Sequence, residues 1–331
     1  MPTASFRAES RAGSPPGDDL EEDEFVWDMV EELQAHGINA QDIAKLKKEG
    51  ICTVSGVRMT SRRNLLKIKG MSEAKVDKIK EASQKILGSS FQTGIQVSDK
   101  RKRVLHISSG SKSVDNMLGG GFMSQSISEV YGEFRTGKTQ LAHTLSVVAQ
   151  LPPEMGGASG KVTYIDTEGT FRPDRIRAIA DRFGVDPEQT LENITYARAY
   201  NSEHQAHGAD SRSRYSVRGR EELPASASWP YFARTTRGAL AQMLAKLSKL
   251  AEEFNVVVLL TNQVQADPGA TMAFAPTVKP IGGHILSHAS ATRIMLRKGR
   301  GEERVAKLVD SPDRPESEGS YKLDEGGWAD V

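Results

Sequence analysis

The sequence predicts an α/β fold, a core built on a largely parallel sheet, preceded by a small all-α domain. Three observations carry that prediction. Residues 132–139 read Gly-Glu-Phe-Arg-Thr-Gly-Lys-Thr and match G-x-x-x-x-G-K-[ST] at every fixed position. They lie between a strand-like alternation at 126–131 and a helical recurrence of Leu141, Leu145 and Val148. Apolar runs at 162–166 and 256–263, each closed by polar residues, read as buried strands, with an amphipathic helix at 239–254 before the second. Ahead of these, residues 25–87 show short helical repeats punctuated by Gly37, Gly50, Gly56 and Gly70.

The 331 residues are 37% hydrophobic and 26% charged, enough for one large domain plus a small one. A formal net charge of +1 announces no global basic field, so any nucleic-acid site must come from local clusters. The single cysteine, Cys52, excludes an internal disulfide framework and a cysteine-based zinc cage, and reads as a small apolar residue. The acidic run at 21–24 lacks an apolar signal core, and 256–260 is the longest strongly apolar run, so no membrane crossing is expected.

Residues 1–22 are rich in Ser, Pro, Gly, Ala and acidic groups and read as a disordered tail. In the helical domain, residues 23–87, the stretch from Leu65 to Ser72 followed by 73–82 reads as helix, tight glycine turn and a helix capped by Ser72. It resembles a helix-hairpin-helix. Its turn would offer N–H groups to a DNA phosphate, with Lys67, Lys69, Lys75, Lys78 and Lys80 adding positive charge; the plain alternative is a solvated lysine face. Residues 88–103 form a linker that carries Phe91, either a minor core contact or an anchor for a neighbouring subunit's pocket, and a basic run at 100–103.

The core domain is read as 104–331, entered through the turn Gly119-Gly120-Gly121. In the phosphate loop, Gly132 and Gly137 let successive N–H groups face phosphates, Lys138 neutralises the outer ones, and the Thr139 hydroxyl can ligate magnesium. The strand at 162–166 ends in Asp166-Thr167-Glu168, where α/β sheets hold ligands. There Glu168 could polarise an attacking water and Asp166 reach the metal through a water. A helix at 174–183 and a strand at 191–197 follow. Gln263 closes the central strand and is a candidate phosphate sensor. The stretch 264–284 is too long for an ordinary connector and reads as functional or mobile. Arg293, Arg297, Lys298, Arg300 and Arg304 form a second basic cluster around a hairpin at Gly299 and Gly301.

Taken in order, the helix-hairpin-helix, residues 132–140, 165–173, 261–263 and 279–284 resemble the RecA-like eukaryotic DNA strand-exchange recombinases over about 25–205 and 239–331. Within that family, residues 72–82 and 266–272 are more similar to the meiosis-specific paralogue than to the mitotic one. The resemblance implies a RecA-like P-loop NTPase core, nuclear, with ATP and Mg2+ as cofactors. It implies rings or helical filaments of like protomers on single-stranded DNA, pairing with homologous double-stranded DNA, strand exchange in meiotic recombination, and mediator proteins as partners.

By position, the resemblance implies that Gly132, Glu133, Phe134, Arg135, Thr136, Gly137, Lys138, Thr139 and Gln140 bind nucleotide, with Thr139 on magnesium. It further implies that Glu168 activates water, Gln263 senses the γ-phosphate, His288 lies at the interface near that phosphate, and Arg175 contacts adenine. Residues 310–316, with Asp310 and Pro315, are similar to the segment that caps the neighbour's nucleotide; Gly282, Gly283 and Arg297 are carried over as DNA contacts. Phe91 matches the inter-subunit anchor, but Phe91-Gln92-Thr93-Gly94 ends in Gly where Ala is usual, a loss of roughly 1 kcal/mol of packing at most.

Between residues 205 and 239 the resemblance fails. The family places there a helix, a buried strand ending in a metal-associated aspartate, and the first DNA-binding loop. Residues 206–238 are instead rich in Ser, Arg, Ala and Pro, with no four-residue apolar run before an Asp, so one core strand is expected to be missing. Residues 215–223 faintly resemble that DNA loop, which makes Arg218 and Arg220 candidates for DNA contact. Asp166 is not the missing aspartate, because the Glu-Gly-Thr-Phe-Arg-Pro after it fits the catalytic-glutamate strand. A reading-frame or splice fault in the translated gene fits the abrupt loss and recovery of resemblance; real divergence is the other reading. Binding is therefore a safer expectation than turnover, and the alternative function is a non-catalytic ATP/DNA-binding isoform that joins or interferes with recombinase filaments.

Overall fold

The computed structural model describes residues 28–200, 237–266 and 278–331, and the backbone path of 224–230. The tail at 1–22 and the arginines Arg218 and Arg220 lie outside the described residues. The chain opens with a 3₁₀ turn, Val30–His36, and four helices, α1 (Ala40–Lys48), α2 (Val54–Met59), α3 (Arg62–Leu66) and α4 (Glu73–Leu87). Each start has a local cause: Asn39, Thr53 and Ser61 accept hydrogen bonds from the Gln41, Gly56 and Asn64 amides. Their apolar faces close on a core of their own around Leu33, Leu46, Val57, Leu65, Val76 and Ile79. Gly70, at φ +83°, turns the chain between α3 and α4. Ser72 stands at the N-cap of α4 but its hydroxyl caps no amide, which corrects the expectation of a serine-capped helix.

This helical unit rests on the core through a polar contact. The Thr53 hydroxyl donates to Glu253, near the end of the helix Arg237–Phe254. Burial pushes the Glu253 carboxyl up to about 7. A Cβ at Gly56 would lie 2.5 Å from Glu253 Oε1, so a larger residue there would displace the Glu253 carboxyl.

Residues 94–101 form a helix, α5 (Gly94–Arg101), inside the stretch read as linker. Thr93 Oγ1 accepts from the Gln96 amide at 3.3 Å and Gln96 Oε1 from the Thr93 amide at 2.9 Å, a reciprocal capping box that starts the helix without any buried side chain. Phe91, just before it, is 93% exposed.

The core follows as β1 (His106–Ile107), α6 (Lys112–Leu118), β2 (Phe122–Met123), β3 (Ile127–Gly132), α7 (Lys138–Val148), β4 (Lys161–Asp166), α8 (Pro173–Phe183), α9 (Pro187–Glu192) and β5 (Ile194–Arg198). The strand expected from 191 begins at Ile194 instead. Asp186 caps and Pro187 opens a short helix over residues 191 and 192. After it come β6 (Pro224–Pro230), the helix Arg237–Phe254, β7 (Val257–Asn262), β8 (Val264–Ala266), β9 (Val278–Pro280) and the helix Gly283–Ala289. The chain then runs through β10 (Thr292–Lys298), β11 (Arg304–Asp310), β12 (Ser317–Asp324) and β13 (Gly327–Ala329).

Among the described residues, nine strands form one sheet in the order β13-β12-β11-β10-β3-β7-β6-β4-β5. It is parallel from β10 to β5 and antiparallel from β10 to β13. Strand β6 corrects the expectation of a missing core strand. Its backbone pairs in parallel with both neighbours, Ser226 standing opposite Val162 on β4 and Val257 on β7. Two parallel strands held apart each present a row of N–H and C=O groups that must be paired, so a segment of weak strand propensity is drawn into the gap. Proline, which donates nothing to the ladder, stands only at its two ends. The sequence of the strand, Pro-Ala-Ser-Ala-Ser-Trp-Pro, still contains no aspartate.

Apolar cores cover both faces of the sheet. One packs α7 and α8 with Trp328 and Tyr321, the other the helix Arg237–Phe254 with Ile127, Val258 and Leu260. The stretch read as one long loop at 264–284 begins and ends as a small antiparallel pair, β8 with β9, and runs into a helix; residues 267–277 lie outside the described residues. No helix among the described residues is long and apolar enough to cross a membrane.

Candidate active site

The phosphate loop leaves the C-terminal end of β3 and enters α7. Gly132 cannot be replaced without a clash, since a Cβ there would lie 2.4 Å from the Leu296 carbonyl oxygen of β10. Gly137, at φ +99°, is the residue before α7 and turns the loop into the helix. The curl is braced from inside: Thr136 Oγ1 donates to the Glu133 carbonyl at 2.9 Å, and Lys138 Nζ donates to the Gly132 and Glu133 carbonyls at 2.7 and 2.9 Å. Burial lowers the Lys138 pKa from its ordinary value, and the Glu168 charge opposes that fall.

Across the loop lies a cavity of about 600 Å³. Gly132, Phe134, Arg135, Gly137, Lys138, Thr139 and Gln140 form one wall; Glu168, Thr170 and residues 261–264 form the other, with Arg304 and Leu323. Lys138, Thr139, Glu168 and Gln263, widely separated in sequence, thus share one cavity. Gln263 Nε2 donates to Glu168 Oε1 at 2.7 Å.

Glu168 is held in place by its neighbours' backbone. Asp166, fully buried, accepts the amides of Glu168 and Gly169 on Oδ1, each at 2.8 Å, and that of Phe171 on Oδ2 at 3.1 Å. Tyr196 Oη and Arg198 Nη1 approach the same carboxylate at 3.2 Å each. With both oxygens engaged, Asp166 acts as the clamp of the Glu168 loop. That corrects the expectation that it reaches a metal through water. His143 on α7 pins the loop's far end, its Nε2 accepting the Arg172 amide at 3.2 Å, and burial pulls its pKa down to about 4, which keeps the ring neutral.

On the opposite wall Asn262 fixes Gln263. It donates to Glu129 Oε1 at 2.8 Å and to the Ile281 carbonyl at 2.6 Å, and its Oδ1 accepts the Gln263 amide at 2.8 Å. Glu129, fully buried, is compensated by Arg293 Nε at 2.8 Å. His143, Asn262 and Arg304 escaped the sequence reading as members of this site. For Asn262 a signal existed, a polar residue closing an apolar strand; for His143 none did.

The residues present fit a triphosphate with its cation. Two glycines that a Cβ would spoil form the cradle, the amides at the start of α7 and the Lys138 ammonium supply positive potential, and the Thr139 hydroxyl stands in the same wall to ligate magnesium.

Other candidates lie elsewhere. Arg175 is engaged on Gln140 Oε1, in the first turn of α7, at 2.9 Å and on the Asp324 and Glu325 carbonyls at 2.8 and 2.9 Å. His288, exposed on the helix Gly283–Ala289 with its ring 6.3 Å from that of His284, and the exposed Asp310 and Pro315 do not line the cavity. Gly282, at φ +105°, precedes that helix and Gly283 begins it. The second basic cluster is split, with Arg293 on Glu129, Arg297 on Glu318 at 2.7 Å, and Arg304 lining the phosphate-loop cavity.

In the helical unit Lys67 and Lys69 precede Gly70 and are exposed, whereas Lys75 pairs with Asp42 at 2.9 Å. Lys80 turns inward to the Val57 and Arg58 carbonyls at 2.8 and 3.0 Å, so it braces α2 and is removed from the positive face it was expected to join.

Comparison with known proteins adds a second line. The Rad51 family profile matches residues 100–331. The meiotic recombination protein DMC1/LIM15 homolog of Homo sapiens is 51% identical over 334 residues, covering 94% of this chain and 95% of its own. The meiotic recombination protein DLH1 of Candida albicans is 54% identical over 91% of this chain and 97% of its own. The meiotic recombination protein DMC1 of Saccharomyces cerevisiae is 55% identical over 91% and 94%.

Proposed function

Because this chain belongs to the Rad51 family, we propose that it is a meiotic recombinase, an ATP-dependent protein of the nucleus that assembles on single-stranded DNA and exchanges it with a homologous duplex. The observation that carries the reading is the Gln263–Glu168 hydrogen bond facing the phosphate loop across one cavity. Bound there, ATP with Mg2+ supplies the phosphoanhydride whose cleavage drives the cycle.

This chain's residues do the rest. With nucleotide bound, the amides of the loop and α7 would hold the phosphates, Lys138, now on the Gly132 and Glu133 carbonyls, would neutralise the outermost one, and Thr139 would hold the cation. Glu168 takes a proton from water at its carboxylate. Gln263, whose N–H now occupies Glu168 Oε1, has to turn toward the phosphate before that oxygen is free.

His288, Asp310 and Pro315 lie apart from the cavity, as they would if they served the nucleotide of an adjoining protomer. Phe91, almost wholly exposed, is suited to a pocket on another copy. The exposed Lys67 and Lys69 beside the Gly70 turn suit DNA phosphate, and Gly282, Gly283 and Arg297 are carried as further DNA contacts. Mediator proteins are the remaining partners of this reading. A second reading, filament joining without turnover, is favoured by one observation: strand β6 occupies its place in the sheet with no aspartate in its sequence.

Purified protein tests both readings. Recombinase function predicts filaments in electron micrographs, displacement loops with ATP and Mg2+, and hydrolysis stimulated by single-stranded DNA and abolished by Lys138→Ala. Filaments without hydrolysis favour the second reading, and absence of filaments and displacement loops rejects the first.

A further inference from the structure

The phosphate loop is held from behind by two aromatic side chains that arrive from the C-terminal hairpin β12–β13. Tyr321 and Trp328 are stacked, with ring centroids 3.7 Å apart and planes inclined by 10°, and both are buried. Each aims its one N–H or O–H donor at the loop. Tyr321 Oη donates to the Thr136 carbonyl at 2.7 Å, and Trp328 Nε1 donates to the Gly137 carbonyl at 3.1 Å. These are adjacent peptide units.

A trans peptide unit points its C=O and the following N–H in opposite directions, and no cis unit occurs among the described residues. Fixing the Thr136 carbonyl therefore fixes the Gly137 N–H, and fixing the Gly137 carbonyl fixes the Lys138 N–H. Both amides then face away from the aromatic pair, on the side where Gly137 and Lys138 line the cavity.

The hairpin is itself immobilised. Arg175 holds the Asp324 and Glu325 carbonyls, the Trp328 amide donates to Thr144 Oγ1 at 3.1 Å on α7, and Asp330 accepts from Ser111 Oγ at 2.7 Å. Gly327, at φ +94°, admits this approach; a Cβ there would lie 2.4 Å from Thr144 Oγ1.

We propose that Tyr321 and Trp328 are positioning residues that preorganise the Gly137 and Lys138 amides for a nucleotide phosphate. This inference rests on the nucleotide reading of the cavity. Preorganised donors bind without reordering the loop, so removing one donor weakens binding even where the fold survives.

The test is Tyr321→Phe and Trp328→Phe in the full chain, with Leu308→Ala, buried in β11, as a destabilised variant that keeps both donors. The probe is N-methylanthraniloyl-ATP with Mg2+, read by fluorescence. Each aromatic variant is expected to bind roughly three- to tenfold more weakly. In steady-state hydrolysis KM rises by the same factor and kcat stays within about twofold. Leu308→Ala lowers the melting temperature and leaves the affinity unchanged.

Hydrogen exchange without nucleotide supplies an independent arm. Faster exchange confined to the peptide 132–140 in either variant supports the anchoring. Wild-type affinity in Tyr321→Phe, or unchanged exchange in that peptide, overturns it. Failure of the wild-type chain to bind the probe rejects the nucleotide reading itself, a result the exchange arm separates from failure of the anchor. Should Trp328→Phe not fold, Tyr321→Phe, which removes one oxygen, carries the decision alone.

Discussion

Replacing Asp166 separates a structural clamp from a metal-associated carboxylate. Asp166→Ala strands three amides, those of Glu168, Gly169 and Phe171, and leaves Arg198 without its carboxylate partner. A stranded buried group costs about 1–3 kcal/mol, but Arg198 keeps some access to water and the loop relaxes toward solvent, so the sum is not additive. The net expectation is about 3–5 kcal/mol, a large part of a typical 5–15 kcal/mol stability. Asp166→Asn keeps one oxygen for the Glu168 and Gly169 amides, turns an NH2 toward the Phe171 amide and loses the charge facing Arg198; about 2–3 kcal/mol is expected.

Urea unfolding followed by circular dichroism measures both variants, and ATP hydrolysis titrated with Mg2+ measures the alternative. A clamp lowers stability and leaves the Mg2+ dependence unshifted. Loss below about 1 kcal/mol for Asp166→Ala, or an Asp166→Asn chain of full stability with a raised Mg2+ requirement, would refute the clamp.

Glu168→Gln removes the base and keeps the shape, so kcat should fall by roughly 10²–10⁴ while ATP affinity changes little; equal losses in both would show that Glu168 serves binding instead. Phe91→Ala, at a position 93% exposed, should leave the melting temperature within about 1 °C and abolish assembly in light scattering. Glu253 gives a pH prediction: its pKa is raised from an ordinary 4.5 to about 7 in the fold, so its contribution is complete below pH 4.5 and lost as pH rises through 7. That amounts to roughly 3 kcal/mol, and Glu253→Gln should flatten the slope of melting temperature between about pH 5 and 8; an unchanged slope assigns the titration to another group.

Much of the fold was legible because its signals are local. The strand, glycine loop and helix around Lys138 announce themselves by alternation, fixed glycines and a helical repeat, each within a dozen residues. Strand β6 was not, because Pro-Ala-Ser-Ala-Ser-Trp-Pro holds no apolar alternation and only Trp229 as a strand-forming residue; its place follows from β4 and β7, which are committed on either side. The clamp role of Asp166 was illegible for a similar reason. A carboxylate closing a strand looks the same whether it faces a metal or the amides of the loop that follows it. The α5 helix hid in a stretch of linker composition, although Thr93 and Gln96 stand at the spacing of a capping box.

The long reach of the hairpin onto the loop has a consequence for biosynthesis. Tyr321 and Trp328 lie 185 and 191 residues beyond the loop residues they hold. At roughly 5–20 residues per second, a ribosome delivers them about 10–40 s after the loop has been made. Through that interval the nascent chain carries a complete G-x-x-x-x-G-K-T motif with no backing beneath it. The site's readiness is thereby tied to the synthesis of residues 321–328, and contacts so distant in sequence close late in folding as well.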